Sequence, residues 1–94
     1  MDKELKEFLL SLEITEKQIE TMKSNFPALS LTTLEHAKEN IEILEEYGYP
    51  SFDIDSLIIA NPFVIIVESE LLVETLDKIE DDVEEYIKND PFFI

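Results

Sequence analysis

Three of the four prolines in this chain stand in one frame. An apolar residue is followed three positions on by another apolar or aromatic residue, and five positions later by Pro. The copies are Ile19, Met22, Pro27; Ile54, Leu57, Pro62; and Val83, Tyr86, Pro91. Each Pro is followed by an apolar pair: Ala28-Leu29, Phe63-Val64 and Phe92-Phe93. Proline interrupts helices and strands alike, so its recurrence dictates where elements must stop. Self-similarity at a fixed spacing marks a repeat. The second copy follows the first by 35 residues and the third follows the second by 29. The neighbouring segments obey the same offset. Leu12–Ile19 falls on Tyr47–Ile54. Ala37, Ile41 and Leu44 fall on Leu72, Leu76 and Ile79, spaced four and three apart as one helix face requires.

The repeating unit reads as short helix, Pro break, turn, longer helix. Thr15 to Gln18 is a capping box opening the first copy, and Thr32 to Glu35 reads as another before a helix over about 33–47. Gly48, the only glycine, sits where a helix C-terminus needs one. Ser69 is the expected cap of a helix over about 70–80, and Asp81 to Glu84 resembles a box for the last helix. The opening helix, about 3–12, buries Leu5, Phe8, Leu9 and Leu12. The expected fold is all-α: a short solenoid-like stack of about two and a half helical repeats with Pro-terminated short helices. It forms one domain over 1–94, with a capping helix (1–14), repeat 1 (15–49), repeat 2 (50–80) and a partial repeat 3 (81–94). Phe63–Val67, "FVIIV", has strand composition, but the aligned "ALSLT" does not, so the helical frame prevails.

With 94 residues and 45% apolar content, the chain can form one modest core. It has no cysteine, which excludes disulfides and thiolate metal sites and fits a reducing cytoplasm. The acidic start lacks the basic flank of a signal peptide, and no stretch approaches a membrane span. Seven lysines face 23 acids for a net charge of −16, and there is no arginine. Nucleic-acid binders are built the other way. Such a surface repels nucleic acid and anionic membrane, attracts basic proteins or divalent cations, and also serves plain solubility.

The frame resembles the mitochondrial transcription termination factor (mTERF) family. Its motif runs approximately Leu-Gly-Leu-Ser-x-x-x-Ile, then Leu, then Asn-Pro or a similar pair followed by apolar residues and a long helix. The match is carried by "YGYPSFDIDSLIIANPFVI", "LEITEKQIETMKSNFPALSL" and "VEEYIKNDPFFI". The resemblance covers most of the chain. It implies stacked three-helix units in a curved solenoid, and nucleic-acid binding along a basic concave surface.

Two features are candidate sites. Glu35, Glu39, Glu42 and Glu46 are spaced four, three and four apart, so they form one stripe of a helix. Their counterparts 35 residues on are Glu70, Glu74, Asp77 and Asp81, all acidic; Glu4 and Glu7 stand at the same offset before Glu39 and Glu42. Like charges at these spacings cost roughly 0.2–0.5 kcal/mol per pair. The stripes read as a docking face for a basic partner or as a solvated face copied by duplication. The second feature is Phe92 and Phe93, at the end of a third repeat with no following helix over it. These aromatics either fold back on the core or form an apolar patch for a partner or a dimer mate.

Catalytic and metal signals are weak. His36 is the only histidine and has no nucleophile and acid in register with it. Asp53 and Asp55 suit a helix N-terminus, and "EDDVEE", Glu80–Glu85, lacks the ligand alternation of a calcium loop. There is no Gly-rich phosphate loop, and "NPF" belongs to the repeat frame. The expectation is therefore a non-catalytic, cofactor-free module that binds another protein, one that is basic if the stripes make the contact. It is expected to be a monomer or weak homodimer, with no membrane and no direct nucleic-acid contact. Alternatives are an acidic mimic of nucleic acid and, from the resemblance, a nucleic-acid-binding protein related to transcription termination.

Overall fold

A computed structural model describes all of residues 1–94. It contains six α-helices and no strand: α1 (Lys3–Ser11), α2 (Glu16–Asn25), α3 (Leu34–Glu46), α4 (Ile54–Ala60), α5 (Ser69–Asp77) and α6 (Val83–Asn89). Three short 3-10 turns join them, at Pro27–Leu31, Ser51–Asp53 and Pro62–Ile65. The protein is all-α, and "FVIIV" is a 3-10 turn and its exit rather than a strand.

The residues before the frame prolines explain the helix ends. Proline bars its predecessor from the helical region. Phe26, Asn61 and Asp90 accordingly take nearly one conformation, with φ/ψ of −133/79°, −142/83° and −140/82°. Each still donates its N–H to the carbonyl four residues back, at 2.8, 2.7 and 3.0 Å. The chain thus leaves each helix with its last donor satisfied. Pro27 and Pro62 then open a 3-10 turn, where a missing N–H costs nothing.

A second shared feature lies before α2 and α4. α1 ends with Glu13 at φ 68°, and α3 ends with Gly48 at φ 97°. In both, the left-handed residue donates to the carbonyl three back (Leu10, Glu45), and the next residue donates five back (Ile14 to Leu9, Tyr49 to Leu44). This is the paired closure of a Schellman end. The residue after it is buried in both places, Ile14 and Tyr49. Glu13 and Gly48 are 35 residues apart, the same separation as Ile19 and Ile54.

The caps differ in part from the sequence reading. Thr15 and Gln18 form the expected capping box. α3 is capped by Thr33, whose hydroxyl accepts from the His36 N–H at 3.1 Å. Thr32 is not the cap: its hydroxyl donates to the Ala28 carbonyl, closing the preceding turn. Ser69 lies inside α5, and its hydroxyl donates to Asn40 instead. Asp82, not Asp81, caps α6. α5 stops at Asp77, short of the expected residue 80. Glu80, Asp81 and Asp82 follow it, and negative charge is unfavourable at a helix C-terminus.

One core joins all six helices, built on nineteen buried apolar residues. The frame positions Ile19, Met22, Ile54, Leu57 and Val83 belong to it, as do Leu29 and Val64 after the prolines. Ala37, Leu44, Leu72 and Leu76 are buried, while Ile41 and Ile79 are half-buried against them. α3 packs on α1, on α5 and on the Pro62–Ile65 turn. A buried polar node fixes that last contact. The Asn40 amide donates to the carbonyls of Val64 (3.0 Å) and Val67 (2.8 Å), and its oxygen accepts from Ser69. The His36 ring reaches the carbonyls of Ile66 and Val67 through Nε2, which must therefore carry the proton.

Candidate interaction surfaces

All eight stripe residues are exposed: Glu35, Glu39, Glu42, Glu46, Glu70, Glu74, Asp77 and Asp81. The helices α3 and α5 that carry most of them pack against each other. Asp81 falls beyond α5. The Tyr47 hydroxyl donates to the Asp77 carboxylate, tying the end of α3 to the end of α5. That bond holds the Tyr47 proton and raises its pKa. The stripe acids take no part in ion pairs, so their charge is not neutralised within the molecule.

The C-terminal aromatics separate. Phe93 and Ile94 fold back as half-buried neighbours of the core. Phe92 stays 62% exposed. The last helix is fastened by Lys88, which pairs with Asp53 at 3.0 Å and with Glu84 at 2.8 Å. Hydrogen bonds to Glu84 and Asp53 raise the lysine's pKa. Nearby, burial raises the pKa of Tyr49.

Phe92 also edges a surface that the sequence reading missed. An open groove of about 340 Å³ lies between α2 and α4, walled by Met22, Phe26, Ile59, Ala60, Pro62 and Phe92. Its rim is polar and comes from α2: Lys17, Gln18, Thr21 and Asn25. None of these residues is acidic, although 23 of the 94 residues in the chain are. The acids of α2, Glu16 and Glu20, turn away on the opposite face. A sequence signal for the groove existed. Leu57, Ile58 and Ile59 run consecutively. A helix of one-sided burial uses two of three such positions, so the third emerges, and Ile59 is 37% exposed.

Other chemistry is sparse. No three His, Asp or Glu side chains converge as a metal site would require. The "NPF" segment has Asn61 and Pro62 buried. The Asn61 oxygen accepts from the Phe63 N–H at 3.3 Å, while its amide nitrogen, buried, has no partner. No helix is long and apolar enough to cross a membrane.

Compared with known proteins, the chain matches no family model, no curated protein and no solved structure. Its own residues therefore carry the functional reading.

Proposed function

We propose that this chain is a small non-catalytic helical module that binds another protein, with the α2/α4 groove and Phe92 as the contact. One observation carries the reading: the groove gathers apolar side chains in a concave wall with no acid in its lining, on a chain of net charge −16. A single exposed apolar residue is ordinary, whereas apolar side chains gathered in a concave wall provide the desolvated anchor site that protein contacts use. In this reading the three proline-framed units form a short stack, and the short helices α2 and α4 supply the groove from adjacent units.

A second reading has its own observation. The stripe acids are all exposed and free of ion pairs, as expected of an acidic mimic occupying the nucleic-acid site of a basic protein. Direct nucleic-acid binding of the termination-factor type ranks below both, because a chain with no arginine and a net charge of −16 repels phosphate.

Affinity capture from source-cell lysate separates these readings. The parent runs beside a groove variant (Ile59→Asp, Phe92→Asp) and a stripe variant (Glu39→Lys, Glu74→Lys, Asp77→Lys). A protein held by parent and stripe variant but lost by the groove variant supports the groove. Loss with the stripe variant alone transfers the contact to the acids.

A further inference from the structure

Resting on the protein-binding reading above, we infer that the occupant of the α2/α4 groove is an amphipathic, net-basic helical segment of a partner protein, lying with its C-terminal end at Lys17. The groove follows α2 from Lys17 to Phe26, nine residues or about 13 Å along a helix axis. Apolar residues at i, i+4 and i+7 of a docking helix span about 10 Å. Three such anchors therefore match the length of the wall.

The wall chemistry selects a helix over an extended strand. Its polar side chains, Lys17, Gln18, Thr21 and Asn25, stand on the α2 side alone, and Met22, Phe26, Ile59, Ala60, Pro62 and Phe92 leave most of the free N–H and C=O groups of an extended segment without a partner. A helix satisfies those groups internally. The molecule has no strand, so it has no sheet edge for a partner to extend.

Charge selects the composition and the direction. The net charge of −16 draws a cationic segment from a distance, and the acid-free lining receives its apolar anchors without burying a carboxylate. Lys17 is the one cation on the rim, and it makes no ion pair. A cation is favourable beside the negative end of a helix dipole. The partner's C-terminus therefore belongs at Lys17, and the segment runs antiparallel to α2.

The probes are labelled designed peptides with leucines at i, i+4 and i+7: one with a lysine-rich polar face, one with a glutamate-rich face, and the lysine peptide in scrambled order. Anisotropy at about 0.15 M salt, where long-range charge is largely screened, reads the affinity. Circular dichroism checks that every variant folds. The lysine peptide binds and gains helix, and scrambling weakens it. Phe92→Asp and Ile59→Asp each weaken it about tenfold, the loss of one anchor. Lys17→Glu weakens it about threefold, although the variant makes the protein more acidic. Stronger binding by Lys17→Glu overturns the stated direction. Preference for the glutamate peptide, with loss in Phe92→Asp, overturns the basic partner and leaves the groove reading standing. Equal binding of the scrambled peptide, or binding by neither ordered peptide, overturns both. Self-association abolished by Phe92→Asp in sedimentation makes the occupant a second copy and overturns the inference alone.

Discussion

Replacing Gly48 by Ala is expected to destabilise the protein by about 1 kcal/mol, and replacing Glu13 by Gly is expected to stabilise it. Both residues close a helix in the left-handed region, at φ 97° and 68°. An L-residue there costs roughly 1–2 kcal/mol, and extra freedom of glycine in the unfolded chain offsets about 0.5–1 of it. At Gly48 a Cβ would meet nothing within 4 Å, so no packing change alters the result. The melting temperature should fall by about 4–8 °C for a domain of this size. Glu13 is exposed, and its replacement by Gly should gain about 0.5–1 kcal/mol by the same bookkeeping. Glu13 also carries charge near the C-terminus of α1, so Glu13→Gln serves as the control, removing charge but keeping the conformation. Urea unfolding followed by far-ultraviolet circular dichroism gives the free energies, and an unchanged urea dependence confirms that stability alone moved. A neutral Gly48→Ala, or a Glu13→Gly no more stable than Glu13→Gln, would refute the equivalence of the two helix ends.

Asn40→Ala should cost about 2–3 kcal/mol in the same assay, because it strips donors from the buried carbonyls of Val64 and Val67; a loss below 1 kcal/mol would show that the node is dispensable. Alkaline pH should destabilise the fold. Tyr47, Tyr49 and Lys88 all have raised pKa values, so their folded-state contribution is complete below their ordinary values of 10.0 and 10.5 and is lost as pH rises through the higher folded ones. The melting temperature should therefore drop above pH 10, less so in Tyr47→Phe with Tyr49→Phe. Added salt should raise stability by screening the stripes, and Glu39→Lys should mimic part of that gain; a salt-independent melting temperature would show that the stripe acids do not strain the fold.

The all-α class and the positions of the breaks were legible because their causes are local. A proline forbids its predecessor the helical region whatever surrounds it, and Phe26, Asn61 and Asp90 obey alike. A left-handed closure is legible at Gly48 but hidden at Glu13, where a poor residue is held by burial of the adjacent Ile14. Asn40 was illegible for the opposite reason. Its counterpart at 35 residues' distance is Thr75, which bonds only within its own helix, and nothing local says which polar residue of α3 the Pro62–Ile65 turn will cover. Of the candidate sites, the stripes were read from spacing and Phe92 from its place in the frame. The groove was not, because its walls come from α2, α4 and the C-terminal turn and meet only through packing.

A nuclear magnetic resonance titration tests the groove most directly. The isotope-labelled full chain is titrated with the lysine-faced amphipathic peptide, and amide shifts are mapped residue by residue. The largest changes are expected along α2 from Lys17 to Phe26, at Ile59 and Ala60, and at Phe92, with small changes on α3 and α5. Shifts concentrated at Glu39, Glu42, Glu74 and Asp77 would contradict the groove reading and make the acidic stripes the binding face.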